Sequence, residues 1–468
     1  MKKRAKRESY KRLLNFVSSL VIISILTAVF ASIWYHYFAS NKILLYKPFF
    51  RRGNYALIAL YAVISLLFYR TYGATKVGHM RILESVYTQM LSILCINAVT
   101  YLQLCLIGRW KFLDNLAPIL LMTAIDAVLI VLWSLISRFA CIKLYPPRNV
   151  LVVYGPYSPK HLIAKMSARD DMYTICGSIS IERDMREIQQ KIRECGSVFL
   201  LDLPAESQHQ LLKFCFREKI RCYSVPKISD IMLRKSEEIH LFDTSLLMFR
   251  NSGLSADQQF VKRAFDIIFS LLFLILTSPI ILIIAICIKV CDGGPVFFLQ
   301  DRLTQDGKVF KMYKFRSMYV SDAQAEYCMT RQNDNRITPV GKVLRSIHFD
   351  ELPQIINILK GDMSFVGPRP ECPELAAEYQ QIIPEFDFRL KMKAGLTGYA
   401  QVYGKYNTTP LDKLKLDLAY IESYSFWLDL KLILLTVKVL FQKEHTEGIQ
   451  NWQTSAATEE NLKKIGKK

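Results

Sequence analysis

Four apolar runs separated by polar loops dominate the first 140 residues of the chain. They cover residues 13–38, 55–69, 82–107 and 116–139. Such runs predict helices that span a lipid bilayer, because about 20 apolar residues cross its hydrocarbon core. The alternative is that they are buried helices of a soluble domain, which are usually shorter than the three longer runs.

The distribution of charge indicates how these helices are oriented. Residues 1–150 hold 19 Lys and Arg but four Asp and Glu, a net charge of +15, whereas the remaining residues carry +5. If the N-terminus is inside, the inside segments carry 13 Lys and Arg and the outside loops carry six. The positive-inside rule therefore places the N-terminus and residue 145 in the cytoplasm. Because the basic residues surround apolar runs, we expect a lipid bilayer as partner and no nucleic acid.

Cysteine and histidine spacing argues against two further classes of protein. The 11 cysteines form no Cys-x-x-Cys pair, and several lie within apolar runs. The seven histidines show no spacing that is typical of metal ligands. A disulfide framework and a zinc site are therefore not expected.

Alternating strand and helix patterns follow the fourth run. The strand patterns lie at residues 149–154, 173–179, 197–201 and 221–225, and the helical patterns at 159–169, 182–195 and 206–219. This alternation predicts a small parallel α/β domain of Rossmann-like shape. The turn after the first strand has Pro156 and Pro159 where a nucleotide fingerprint needs glycines, so we expect no dinucleotide site. A regulatory or oligomeric role, for example in a homodimer, is expected instead.

A fifth apolar run, residues 265–290, contains Ser278 and Pro279 near its middle. A spanning helix here would place residues 292–468 outside the cell. Proline kinks a helix, and the serine can bond to the exposed backbone, so the segment could also enter the bilayer, turn and return. Both flanks are basic, and the positive-inside rule therefore favours the re-entrant course.

Basic residues recur in the segment after this run. Residues 296–319 predict a β-hairpin that turns at Asp306 and Gly307. Four basic residues would form a ribbon along it near the membrane: Arg302, Lys308, Lys314 and Arg316. Such a ribbon suits either anionic lipid or phosphate groups. A short helix is then predicted from Pro339, capped by Thr338 and ending at Arg345.

Two adjacent carboxylates, Asp350 and Glu351, open the next predicted helix, which ends at Gly361. Such a pair often does no more than complement the helix dipole. Here a short strand and the turn Gly367-Pro368-Arg369-Pro370 follow. Prolines on both sides restrict the backbone at Arg369, which suits recognition of a phosphate.

These motifs carry a resemblance to a known family. From residue 262 to about 442 the chain resembles the bacterial sugar transferases, polyprenyl-phosphate glycosyl-1-phosphate transferases that begin the assembly of capsule, exopolysaccharide and O-antigen. The matching motifs, in chain order, are Lys262-Arg263-x-x-Asp266, Ser278-Pro279, Gly294-Pro295-Val296-Phe297-Phe298-x-Gln300-x-Arg302, Lys314-Phe315-Arg316-Ser317-Met318, Arg336-Ile337-Thr338, Leu344-Arg345, Asp350-Glu351-Leu352-Pro353-Gln354, Gly361-Asp362-Met363-Ser364, Val366-Gly367-Pro368-Arg369-Pro370 and Gly395-Leu396-Thr397-Gly398. The upstream helices and α/β domain resemble the long, multi-domain form of this family.

The resemblance implies a membrane enzyme that transfers a hexose 1-phosphate, of glucose or galactose, from a UDP-sugar to undecaprenyl phosphate. It further implies Mg²⁺ as cofactor, UMP as product, Asp350 and Glu351 as catalytic dyad, and a re-entrant helix broken at Ser278 and Pro279. The chain departs from the usual motifs at His348-Phe349, at Thr304 and at Tyr403-Gly404-Lys405. None of these departures removes a carboxylate. They leave open the preferred sugar and the phosphate contacts near Lys405, because lysine cannot form a bidentate fork.

The chemistry of the proposed substrates agrees with these residues. Attack of one phosphate anion on another needs a hard cation and several basic side chains. The expected phosphate-binding residues are Arg302, Lys314, Arg316, Arg336, Arg345, Arg369 and Lys405, with Glu351 and Asp350 at the metal. In one route Asp350 attacks the phosphorus and forms an acyl phosphate; in the other it binds only metal and the lipid phosphate attacks directly. An inactive membrane scaffold and a glycosyltransferase that releases UDP remain as alternatives.

The expected organisation combines a membrane α-helical bundle, a cytoplasmic Rossmann-like α/β domain, and a membrane-associated α+β catalytic domain with a re-entrant helix. The boundaries are residues 1–145 for the bundle, 146–256 for the α/β domain and linker, 257–292 for the re-entrant helix, 293–443 for the catalytic domain and 444–468 for a polar tail. The expected location is the bacterial inner membrane, with the catalytic domain in the cytoplasm.

Overall fold

The structure is a computed structural model that describes most of the chain. The described residues are 2–39, 52–75, 82–113, 116–145, 147–156, 159–167, 169–234, 236–249, 253–319, 336–404 and 408–440. The chain divides into two compact units, Met1–Val225 and Pro226–Lys468. Each unit has its own core and is described by itself.

The first unit begins with four long helices. They are α1 (Lys2–Ile33), which continues into a π-helical turn (Trp34–Phe38), α2 (Gly53–Tyr72), α3 (Ile82–Ile107) and α4 (Ala117–Leu144). Each contains a segment long and apolar enough to cross a membrane. The four predicted spans are therefore confirmed as helices of membrane-spanning length and composition.

These four helices bury polar side chains and expose apolar ones. Asn97 donates a hydrogen bond to fully buried Asp126 (3.2 Å), and Gln89 donates one to Ser134 (3.0 Å). Leu67 and Val128, by contrast, are more than half exposed. Apolar side chains on the outside and paired polar side chains between the helices are the arrangement that a lipid environment favours.

A parallel sheet with crossover helices completes the first unit. Its elements are β1 (Arg148–Tyr154), α5 (Lys160–Ser167), β2 (Tyr173–Ser180), α6 (Met185–Cys195), β3 (Ser197–Leu201), α7 (Ala205–Arg217) and β4 (Arg221–Ser224). All neighbouring strands are parallel, in the order β2-β1-β3-β4. The predicted α/β domain is confirmed. At the ends of β1 and β3, the backbone of Gly155 packs directly on Asp202, whose carbonyl oxygen would lie 2.1 Å from a Cβ at position 155.

The second unit begins with elements that the sequence pattern did not predict. The part of the predicted 146–256 segment that follows the last strand pattern was expected to be a linker without elements, but it contains α8 (Ile228–Leu233) and a hairpin of β5 (Glu237–Leu241) and β6 (Thr244–Met248). The expectation was wrong because charged residues such as Glu237 and Glu238 obscure the strand pattern; every residue of β5 is exposed.

Helix α9 (Ala256–Asp292) follows and is the longest in the unit. It is continuous through Ser278 and Pro279, so the expected separation into two helices is not observed. Ser278 Oγ donates to the carbonyl of Ile275 (2.9 Å) and Thr277 Oγ1 to that of Phe273 (2.7 Å). These side chains bond to the backbone in the turn before the proline, where its missing N–H and its ring disturb the helix.

The rest of the unit is a compact α+β domain. Its elements are β7 (Phe297–Leu303), β8 (Val309–Phe315), α10 (Pro339–Ser346), α11 (Gln354–Lys360), β9 (Met363–Val366), α12 (Pro373–Ile382), β10 (Ala394–Thr397), α13 (Tyr399–Tyr403), α14 (Pro410–Glu422) and α15 (Phe426–Leu440). The predicted hairpin is confirmed as antiparallel β7 and β8, joined by a short 3-10 turn (Gln305–Gly307). Strands β9 and β10 pair in parallel and lie in the main core with α14 and α15.

Candidate active site

The two adjacent carboxylates lie on a tight 3-10 turn (Phe349–Glu351) between α10 and α11. The sequence pattern placed them in the first turn of the following helix, but that helix starts at Gln354. His348, just before the turn, has φ of 58° in the left-handed region, which is uncommon for a residue other than glycine. This backbone reversal turns the chain out of α10, and the amide of Glu351 bonds to the carbonyl of His348 (3.3 Å).

Glu351 is held by two cationic side chains. Its Oε1 lies 3.4 Å from Lys314 Nζ and 3.2 Å from a terminal nitrogen of Arg369. Lys314 projects from β8, and Arg369 from the turn after β9. Burial alone would raise the pKa of Glu351, but the positive charges of Arg369, Lys314 and His348 outweigh it and lower the pKa to about 2. Glu351 is therefore ionised and fixed in place at neutral pH.

Asp350 has a different environment. Across the described ranges it has neither a hydrogen-bond nor an ion-pair partner. Burial and the neighbouring charge of Glu351 raise its pKa, whereas Lys314, Arg345 and His348 act in the opposite direction. One carboxylate of the pair is thus anchored, and the other is unanchored and of higher pKa. Unequal carboxylates of this kind are typical of sites in which the two groups have separate chemical roles.

A rigid turn presents Arg369 to the dyad. The turn, residues 367–370, packs its backbone directly on the end of β10, where Gly367 donates to the carbonyl of Thr397 (2.8 Å) and Gly395 donates to that of Pro368 (2.9 Å). A Cβ at position 395 would lie 2.0 Å from the nitrogen of Gly367, so only glycine fits there. Close backbone contact and flanking prolines fix this turn, while the side chain of Arg369 stays 47% exposed.

Lys314, Glu351 and Arg369 share one cleft with another predicted residue, Arg302. Arg302 donates to Gln300 Oε1 (2.7 Å) and to the carbonyl of Pro370 (3.2 Å), so it contacts the arginine turn as well as lining the cleft. Gln354, in the first turn of α11, lines the same cleft and is almost fully buried. Gln354 was part of a matched motif but had no predicted role.

The other predicted phosphate-binding residues differ in their placement. Arg345 is close enough to Asp350 to lower its pKa. Arg316 is 7% exposed and its guanidinium packs against Gly294, where a Cβ would lie 1.9 Å from Nη1. Arg336 is exposed at the surface, where its carbonyl accepts from the amide of Tyr319 (3.0 Å). Lys405 lies outside the described residues.

Comparison with known proteins identifies the family. Residues 257–443 match the family sequence model described as bacterial sugar transferase. A Klebsiella pneumoniae protein named UDP-glucose:undecaprenyl-phosphate glucose-1-phosphate transferase is 43% identical over 213 residues, 44% of this chain and 45% of that protein. A Caulobacter vibrioides protein of the same name is 36% identical over 211 residues, 43% of this chain and 78% of that protein. The chain belongs to the bacterial sugar transferase family.

Another member of this family is named for a different sugar. The Salmonella typhimurium undecaprenyl-phosphate galactose phosphotransferase is 32% identical over 281 residues, 55% of this chain and 58% of that protein. The chain thus spans about half the length of the Klebsiella and Salmonella relatives. The predicted family is confirmed, and the matched region contains the dyad, the turn at residues 367–370 and α9 from its second residue onward.

The dyad suits the magnesium ion expected for a sugar transferase. Mg²⁺ prefers oxygen ligands and is usually held by one or two carboxylates together with substrate phosphates and water. Asp350 and Glu351 supply two adjacent carboxylates, and the unanchored carboxylate of Asp350 is available to a cation. In the described part of the chain no third acidic, histidine or cysteine side chain joins them as a ligand cluster. The donor set therefore fits a cation that takes its remaining ligands from substrate and solvent.

Proposed function

We propose that the chain transfers a hexose 1-phosphate, of glucose or galactose, from a UDP-sugar to undecaprenyl phosphate and releases UMP. The observation that carries the proposal is the unequal carboxylate pair, with Asp350 unanchored and Glu351 held by Lys314 and Arg369 in one cleft. Two cations beside a free carboxylate can receive a diphosphate and offer it a nucleophile. The names of the relatives support the same lipid and the same class of sugar donor.

In the proposed reaction a carboxylate oxygen of Asp350 attacks the phosphorus that bears the sugar. The bond from this phosphorus to the oxygen bridging to the nucleotide breaks, so UMP leaves with that oxygen and an aspartyl phosphosugar remains. An oxygen of undecaprenyl phosphate then attacks the same phosphorus, and the carboxylate of Asp350 is released. Splitting one displacement between two anions into two steps is the usual advantage of a covalent intermediate.

The basic residues of the cleft provide the charge neutralisation that phosphoryl transfer needs. Lys314 and Arg369 lie beside the dyad and can stabilise the negative charge that develops on the leaving UMP. Arg345 is near enough to Asp350 to favour its ionised form. Mg²⁺ held by Asp350 and Glu351 would add a further positive charge at the phosphates.

The course of α9 in the membrane is part of the proposal. Near its start, Arg263 donates to the carbonyls of Ile358 (2.6 Å) and Leu359 (2.7 Å) at the end of α11. Near its end, Ile284 and Ile288 form an apolar cluster with Phe315 and Leu344, against which Leu352 packs. Both halves of α9 thus contact parts of the catalytic domain that lie only a few residues apart in sequence.

The length of α9 between these two sets of contacts bears on its membrane topology. From Arg263 to Ile284 a straight α-helix would rise about 32 Å, roughly the thickness of the hydrocarbon core. A helix that crossed the bilayer over this interval would place its two ends on opposite sides, where a single small domain could not contact both. We therefore propose that α9 bends near Pro279 and enters the bilayer from the cytoplasmic side without crossing it. This keeps the dyad on the cytoplasmic face of the bacterial inner membrane.

Product analysis tests the proposed function. Membranes or detergent-solubilised protein would be incubated with Mg²⁺, undecaprenyl phosphate and, in separate reactions, UDP-glucose, UDP-galactose or UDP-N-acetylgalactosamine. The nucleotide product would be identified by chromatography. UMP together with a sugar diphospholipid is expected. UDP as the product would indicate an ordinary glycosyltransferase, and absence of turnover with UDP-glucose, UDP-galactose and UDP-N-acetylgalactosamine would favour a scaffold. Asp350→Asn provides the inactive control, and Glu378→Gln, at an exposed position of α12, provides the active one.

A further inference from the structure

A buried ion cluster lies behind the turn that carries Arg369. At its centre is Arg389, which belongs to a 3-10 segment (Pro384–Lys391) and is 2% exposed. Its two terminal nitrogens lie 3.2 Å from Glu371 Oε1 and 2.7 Å from Asp417 Oδ2. Lys413 forms a second ion pair with Glu371. Two cations and two anions from three separate segments thus balance one another inside the domain.

The same guanidinium also bonds to the turn itself. Nη2 of Arg389 donates to the backbone carbonyl of Arg369 (2.8 Å), while Arg302 donates to the carbonyl of Pro370 (3.2 Å). The two successive carbonyls at the apex of the turn are therefore each held by an arginine. On the opposite side, the side chain of Arg369 reaches Glu351.

We propose that Arg389 is a positioning residue, which sets the place of the Arg369 guanidinium, and through it of Glu351, from behind the active site. The inference rests on the proposed function, because it assigns Arg389 a role in the same reaction. Arg389 does not line the cleft that contains Lys314 and Glu351; it lines a neighbouring cavity together with Arg369. In the proposal it acts on the substrate through Arg369.

Arginine chemistry explains why this position needs a guanidinium. Its planar fork offers five donors in fixed directions, so it can donate to Glu371 and to the carbonyl of Arg369 while its charge also pairs with Asp417. A lysine ammonium keeps the charge but lies at the end of a flexible stem and cannot reproduce the fork. Burial would raise the pKa of Glu371, but Lys413 and Arg389 lower it to about 2, so this carboxylate remains an ionised anchor for Arg389.

The test compares Arg389→Lys with Asp417→Asn. Lysine keeps the positive charge and loses the bond to the carbonyl of Arg369. Asparagine removes one charge from the cluster and leaves that bond in place. We expect Arg389→Lys to lower kcat/KM for the UDP-sugar by about 10- to 100-fold per folded molecule, since misplacement by about 1 Å can have this effect. Asp417→Asn should lower it by less than about threefold. The folded fraction is measured by size-exclusion chromatography and thermal unfolding in detergent.

A double mutant separates positioning from a general loss of structure. In an Arg369→Lys background, Arg389→Lys should reduce activity by less than about threefold, because the group that it positions is already altered. Full multiplication of the two losses would overturn the proposal, as would wild-type activity in Arg389→Lys. Arg389→Gln is a second substitution at the same position. If neither Arg389→Lys nor Arg389→Gln folds while Asp417→Asn does, the role of Arg389 is in folding alone and the proposal is overturned. If wild-type protein releases no UMP, the proposed function fails, and that result is distinct from all of these.

Discussion

In the proposed reaction Glu351 would compete with the substrate diphosphate for Lys314 and Arg369, and this predicts tighter nucleotide binding in Glu351→Gln. The nearby positive charges lower the pKa of Glu351 from 4.5 to about 2 despite its burial. At 1.36 kcal/mol for each pKa unit, the net effect of charge and burial favours the ionised carboxylate by about 3 kcal/mol. A diphosphate that binds to the same two cations must take part of that interaction away. If about half of it is recovered in the glutamine variant, UDP should bind about tenfold more tightly than to the wild type.

The assay is titration calorimetry with UDP in EDTA, so that no divalent cation bridges the carboxylates and the nucleotide. Glu351→Gln keeps the size of the side chain and removes only its charge, and Glu378→Gln at the exposed position is the matched control. We expect tighter UDP binding in Glu351→Gln, no change in Glu378→Gln, and loss of UMP release in Glu351→Gln when Mg²⁺ and UDP-sugar are added. Unchanged or weaker UDP binding by folded Glu351→Gln would refute the view that Glu351 is the counter-ion of these two cations.

Three further predictions address the nucleophile, its ionisation and the membrane topology. Asp350→Asn should lower the rate of UMP release by at least about 1,000-fold while the protein remains folded in membranes. Substantial residual turnover would exclude Asp350 as nucleophile. Burial and Glu351 raise the pKa of Asp350 and Lys314 lowers it, so UMP release should fall as acid protonates Asp350, and Lys314→Met should move this fall to higher pH. An unshifted pH profile would count against that assignment. Single cysteines at Asp257 and Lys308, in a background without other reactive thiols, should both react only from the cytoplasmic side; labelling of position 308 from outside would mean that α9 crosses the bilayer.

Local sequence patterns were sufficient to predict many of the helices and strands. Thr338 and Pro339 are a typical cap and first residue of a helix, and α10 begins there, with the amide of Gly341 bonded to Thr338 Oγ1 (2.9 Å). The alternating side chains along the hairpin strands β7 and β8, and the turn at Gln305–Gly307 that joins them, depend only on neighbouring residues. The membrane helices follow from the length of their apolar runs. Features of this kind are decided within one element, so a single sequence contains the information.

The geometry of the site depends on contacts that are distant in sequence. The amphipathic pattern gave no indication that Arg389 meets Glu371 and Asp417, because ion pairs between separate segments leave no local spacing. The 3-10 turn of the dyad was missed since it requires the left-handed backbone of His348, a conformation that side-chain pattern does not specify. Similarly, the role of Glu351 as partner of Lys314 arises from the approach of β8 to the turn before α11.

The most direct test of the account is a single-turnover reaction with UDP-sugar and Mg²⁺ in the absence of undecaprenyl phosphate. The nucleotide released is quantified against folded protein, and quenched protein is digested to locate a phosphosugar. We predict up to one UMP per active site and a hydroxylamine-labile phosphosugar on the peptide that contains Asp350, with neither in Asp350→Asn. UMP that appears only after lipid is added, with no labelled peptide under rapid quench, would contradict the covalent role of Asp350.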